Sequence, residues 1–157
     1  MASCRRAVLL TAAALVLAGC GLTIPTDPEG SLDRVRDRGV LRAGASPRSG
    51  WVDPGDPPRG REPRLVERFA DGLDAEVEWT VAGEEHLVSM LEDGELDLAV
   101  GGFTEDNAWV DKVGLTRAYV EVDVAGSMEA HVMMVRMGEN AFQSRLERWL
   151  DDHGGGS

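Results

Sequence analysis

Between Val40 and Val100 the apolar pattern changes period four times, and that alternation limits the fold more than any other feature of the chain. Residues 40–45, apolar apart from Arg42, read as a strand. Leu65, Phe69 and Leu73 lie four apart with Val66 and Ala70 beside them, which is one stripe of a helix begun near Pro63. Val77, Trp79 and Val81 alternate, as strand residues do. Leu87, Met90 and Leu91 return to helical spacing over residues 84–93, with acids in the first turn and Gly94 as the stop. Residues 96–100 are apolar again apart from Asp97. The order β-α-β-α-β predicts an α/β fold with a mostly parallel sheet flanked by helices.

The segments around this unit are less regular. Ser31 suits the N-cap of a short helix carrying Leu32 and Val35 and ending near Gly39. Residues 46–61 hold four prolines and three glycines and must form a long irregular loop. After Gly102 the pattern predicts a helical turn over 107–112 and strands over 118–124 and 130–137, joined across Gly126 and Ser127. A last helix over 141–150 carries Phe142, Leu146, Trp149 and Leu150 on one face.

The first nineteen residues look like an address. Arg5 and Arg6 precede an apolar run over 7–18, too short to span a bilayer. The run ends in Leu17-Ala18-Gly19-Cys20, which resembles a bacterial lipobox. That resemblance implies cleavage before Cys20, lipid on its thiol, and a protein held on the outer face of the cell membrane. Residues 20–30, with two prolines and no periodicity, are expected to be the lipidated Cys and a tether. Extended, residues 21–30 reach roughly 30–35 Å. Residues 31–153 are then the folded domain, and 154–157 a Gly-rich tail.

Charge narrows the partners. The chain carries 28 acidic residues against 16 basic ones, a formal charge of −12. Arg5 and Arg6 leave with the leader, so the mature chain carries 14 basic residues against 28 acidic ones, or −14. Such a surface repels nucleic acid. Cys4 also leaves and Cys20 takes lipid, so no disulfide framework is possible.

Several segments resemble the bacterial extracellular solute-binding proteins of family 3, which serve ABC transporters. Residues 39–47 (Gly-Val-Leu-Arg-Ala-Gly-Ala-Ser-Pro) resemble the first strand and its ligand-side turn. Gly60 and Glu62, followed by the stripe from Leu65 to Leu73, resemble the next helix. Residues 87–102 and Thr116-Arg117-Ala118-Tyr119 resemble two further motifs in the family's order. The resemblance implies a single lobe of a type II periplasmic-binding-protein-like fold, closed by a C-terminal hairpin and helix. It implies an integral membrane transporter as partner. The alternative is a regulatory or interaction lipoprotein that has lost small-molecule binding.

Two departures shape that expectation. Family members insert a second lobe after the Tyr119-type strand, but only twenty residues, 120–139, separate it here from the last helix. Those residues can make a hairpin and not a lobe. The family's amino-acid binders also place an Arg ten residues before the Tyr, where it forks onto the ligand carboxylate. Here that position is Trp109, and Asp106 lies three residues before it. Neither favours a carboxylate.

The candidate ligand residues are Ser46 and Trp51 in the first turn, then Gly102, Phe103, Thr104 and Asp106, then Trp109 and Tyr119. Aromatics beside acids suit a small polar or cationic ligand. Phe103, Trp109 and Tyr119 equally suit a role in capping the sheet and packing the core. No cofactor or metal is expected. Glu84-Glu85-His86 lacks a second His at helical spacing, and Asp151-Asp152-His153 is expected to be solvated. Met128, Met133, Met134 and Met137 are expected to fill core gaps. Ser46, Ser89 and Ser144 lack a nucleophile-elbow context, and no His is paired by motif, so the chain is not expected to be an enzyme.

Overall fold

The computed structural model describes residues 27–155. The leader over 1–19, Cys20, the first part of the tether and the last two residues of the tail lie outside the described residues.

The elements run α1 (Ser31–Arg38), β1 (Val40–Ala45), α2 (Arg61–Asp71), β2 (Glu76–Val81), α3 (Glu84–Glu92) and β3 (Leu98–Val100). They continue with β4 (Gly114–Leu115), β5 (Val120–Val124), β6 (Ser127–His131), β7 (Met134–Val135) and α4 (Asn140–His153). The main sheet has the order β2-β1-β3-β7-β4. β1 pairs parallel with β2 and β3, as the alternating pattern requires, while β7 runs antiparallel between β3 and β4.

Helices cover both faces. Leu41, Ala43, Leu98 and Val100 turn toward α1, α2 and α4, whose Val35, Phe69, Phe142 and Leu146 are buried with them. Ala99, Val132 and Met134 turn the other way, onto Leu87, Val88 and Leu91 of α3. Strand residues alternate between the two cores, and a Leu98–Ala99–Val100 strand buried on both sides must be apolar throughout.

Four local expectations are corrected. Gly30, in the left-handed region at φ 67°, and not Ser31, precedes α1. The Ser31 amide instead donates to the Glu139 carboxylate at 2.8 Å. The strand expected over 130–137 is two strands. β6 pairs with β5 in a separate hairpin, and the chain then passes into the main sheet, where the Met133 amide donates to Thr116 Oγ1. Met133 and Met134 are buried, but Met128 and Met137 are exposed, because they lie on the hairpin and after β7. His153 is not freely solvated: it stacks on Trp149 with ring centroids 4.3 Å apart.

The amino-terminal pole of the sheet is held by charge. Asp97, just before β3, is fully buried and receives both Arg34 and Arg42, the latter at 2.6 Å. At the same pole Asp27 and Glu139 fasten the start of the described chain to α4.

Candidate functional site

The carboxyl ends of β1 and β3 diverge here, one leading into the loop before α2 and the other into Gly101-Gly102. Such a point in an open sheet leaves a crevice. The Ser46 amide donates to the Val100 carbonyl at 2.8 Å, extending the pairing by one residue. Gly102 then takes φ 62°, where a side chain is strained. Its amide donates to Glu62 Oε2 at 2.7 Å, and its carbonyl accepts from Arg48 Nη1 at 2.8 Å.

Trp51 packs against this glycine. A Cβ on Gly102 would stand 2.7 Å from Trp51 Cγ and Cδ1. His131 stacks on the indole with centroids 3.8 Å apart, Tyr119 meets it edge-on at 6.5 Å, and the Arg61 guanidinium lies 5.3 Å from its centroid. The loop is stiffened by bridges from Arg48 to Val52 and from Asp53 to Arg59, so Trp51 is held in place.

Beneath Trp51 sits Glu62, with no exposed surface. Burial pushes its carboxyl above the ordinary value, against the pull of the Tyr119 hydroxyl and the Gly102 amide. Tyr119 donates to Glu62 at 2.6 Å, and burial followed by the neighbouring carboxylate pushes its own hydroxyl well up. His131 is 1% exposed, and neither ring nitrogen has a hydrogen-bond partner among the described residues. Burial lowers its pKa, opposed by the Gly102 carbonyl and by Glu129, whose carboxylate lies 3.7 Å from Nε2.

Above this floor a groove of about 380 Å³ runs between residues 104–106 and the outer end of the β5–β6 hairpin. Glu105, Asp106 and Glu129 line it, and the Glu105 amide is fixed to the Ala130 carbonyl at 3.0 Å.

The candidate residues therefore divide into three groups. Ser46, Trp51, Gly102 and Tyr119 come together at the strand ends. Thr104 and Asp106 line the groove. Phe103 and Trp109 belong to the α3 core, and Trp109 Nε1 donates to Glu84 Oε1 at 2.7 Å. Glu62, His131 and Arg48 were not singled out as ligand-site residues. Glu62 carried one signal, an acid directly ahead of the apolar stripe of α2. His131 carried another, sharing a strand face with Glu129 two residues before.

No family model matches the chain. It is 34% identical over 103 residues to the membrane-bound lytic murein transglycosylase F of Vibrio cholerae, which covers 64% of this chain and 19% of that protein. The corresponding protein of Vibrio parahaemolyticus is 30% identical over 121 residues, covering 75% of this chain and 22% of its own. The chain thus spans about a fifth of the length of these curated relatives. Among solved structures, the arginine-bound domain 1 of TmArgBP superposes with a TM-score of 0.69 at 20% identity, over 76% of this chain and 98% of that one. An ancestral cationic amino acid solute-binding protein gives a TM-score of 0.70 at 14% identity, over 78% of this chain and 93% of that one.

The chain has the fold of one lobe of a family 3, type II periplasmic solute-binding protein. The hairpin stands where the second lobe was expected to be inserted. One expectation is overturned: that the chain is not an enzyme. The relatives it matches are named as transglycosylases, and an ancestral cyclohexadienyl dehydratase shares the fold at a TM-score of 0.53, with 23% identity over 62% of this chain and 41% of that one.

Proposed function

We propose that the chain is an extracytoplasmic recognition lobe, tethered to the membrane through a lipidated Cys20, that takes a small cationic solute in the groove of Glu105, Asp106 and Glu129. The observation that carries this reading is that groove: three carboxylates around about 380 Å³, in a chain already at −12, at the loop end of an open sheet. A cation gains direct attraction from Glu105 and Asp106 there, while the Arg48 guanidinium, 4.0 Å from the Glu129 carboxylate and bonded to the Gly102 carbonyl, is already engaged and offsets only part of it. The arginine named in the TmArgBP structure is likewise a cation. The system served is a membrane transporter, as the resemblance implies, or a wall-processing enzyme, as the names of the relatives suggest.

Thermal-shift measurements test the ligand class. Spermidine, choline, arginine and an amine-bearing murein peptide are compared with glutamate at low and high salt. The expected result is a rise in Tm with at least one amine, shrinking with salt, and none with glutamate. Stabilisation by glutamate at low concentration would overturn the proposal.

A second reading has its own observation. Trp51 already covers the Gly102 peptide, so the strand ends are filled from within. A lobe with no response to any of these solutes is then an interaction module, recognised by co-purification with a membrane protein.

A further inference from the structure

We infer that the anchor and the groove lie at opposite poles of the lobe, so that the chain offers its groove away from the bilayer, to a solute arriving from the wall side. The inference deepens the proposed function and rests on its tether at Cys20.

Helix α4 is the ruler. Its 14 residues span about 21 Å. At its start Asp27 Oδ1 accepts the amides of Ala141 and Phe142 at 2.7 and 2.9 Å, while Oδ2 accepts that of Leu32. The Glu139 carboxylate takes the amides of Glu29 and Ser31. The first described residues are therefore bolted to the amino-terminal pole. At the other end of α4, the Gly154 carbonyl accepts from Arg61 Nη2 at 3.2 Å, and a Cβ on Gly154 would stand 2.9 Å from that of Tyr119. Arg61 and Tyr119 are the residues around Trp51.

The strands agree with the helix. β3 runs from Asp97, at the pole of Arg34 and Arg42, to Gly102 under Trp51. β7 runs back down, leaving Arg136 against Gly94 and Glu29.

Length does the rest. Cys20 and Asp27 are seven Cα steps apart, at most about 25 Å whatever the conformation. A lobe of this size is roughly 35 Å across. The tether is shorter than the lobe is wide, so the lobe can tip its groove sideways and partly down but cannot invert it onto the bilayer, and most of its range points outward. Repulsion between Glu105, Asp106, Glu129 and anionic headgroups acts in the same direction.

The test uses the full chain, processed and lipidated in a bacterial host, in vesicles of phosphatidylethanolamine and phosphatidylglycerol carrying a headgroup-labelled acceptor lipid. Donor dyes are placed on Glu95→Cys at the anchor pole, and separately on Met128→Cys and Val124→Cys on the hairpin; all three positions are exposed. Energy transfer from position 95 is expected to exceed that from either hairpin position at least twofold. Equal or reversed transfer in a chain that carries lipid overturns the polarity and leaves the anchor standing. Palmitate labelling of Cys20→Ser reads the anchor separately. Labelling that persists in that variant overturns the anchor, and the inference falls with it.

Discussion

Tyr119 donates its hydroxyl to the buried Glu62 carboxylate at 2.6 Å across 57 positions of sequence. This bond joins the strand-end loop before β5 to the first turn of α2. It also holds the floor on which Trp51 rests, since the other Glu62 oxygen accepts from Gly102. Tyr119→Phe keeps the ring and removes one of two donors to a buried acid, so a loss of about 1.5–3 kcal/mol is expected. Glu62→Ala strands both donors and opens a void, and should cost more. Urea unfolding checks the order. A Tyr119→Phe variant within 0.5 kcal/mol of the parent would show that the bond contributes little.

Acid sensitivity should have two separable parts. His131 has its pKa lowered by burial, so its neutral form is the folded one. Its contribution is complete above the ordinary value of 6.5 and is lost as pH falls through the lower folded value. The groups facing it are Glu129 from its own strand, Arg48 from the loop, and the Gly102 and Phe103 carbonyls. Glu139 behaves in the same sense at lower pH. Burial alone would raise its pKa, but the Glu29 and Ser31 amides outweigh it and the net shift is down. Its contribution is complete above 4.5 and is lost below. His131→Phe keeps the stack on Trp51 and should flatten the stability profile between pH 7 and 5. Glu139→Gln should flatten it only below 4.5. A His131→Phe profile parallel to the parent's from pH 7 to 5 counts against the first assignment.

The parallel unit β1-α2-β2-α3-β3 was legible because each element is buried on a defined face, and burial writes itself into the period of the apolar residues. The hairpin was legible for a similar reason, as Gly126 breaks two alternating runs. The break between β6 and β7 was not, because Ala130 to Val135 is apolar apart from His131 and nothing in its pattern marks an interruption. Only the hydrogen bonds of Val132 to Phe103 and Met133 to Thr116 show that the chain changes sheets. The site was half legible. Trp51 and Gly102 stand out by residue type, but Glu62 and His131 carry only faint signals in the sequence and become informative through burial. Trp109 is a ligand candidate in the sequence only through its distance of ten residues from Tyr119. Its partner is Glu84, 25 positions earlier, and spacing along one strand cannot report that contact.

The hairpin turn offers a stabilising change. Ala125 and Gly126 both have positive φ, at 55° and 89°, the combination that suits a two-residue turn matching strand twist. Alanine is strained there, whereas Asn tolerates the left-handed region. Ala125→Asn should raise stability by about 0.5–1 kcal/mol, read from the urea midpoint with an unchanged slope. A drop in stability would mean that the turn has another geometry in solution.

Gly102 is where the local rules conflict most, and a pair of substitutions separates the causes. Its φ of 62° strains any side chain, and the 2.7 Å approach of Trp51 adds a steric clash with a bulky ring. Gly102→Ala should therefore destabilise by about 2–4 kcal/mol, of which about 1–2 kcal/mol is backbone strain. Trp51→Ala alone removes the stack on His131 and should also destabilise. Combined, the two should cost less than the sum of the single changes, because the clash disappears with the indole while the strain remains. The shortfall measures how firmly Trp51 is pressed onto the strand ends. If the two effects add within 0.5 kcal/mol, the indole is free to move aside, and the crevice at the ends of β1 and β3 is open to a ligand after all.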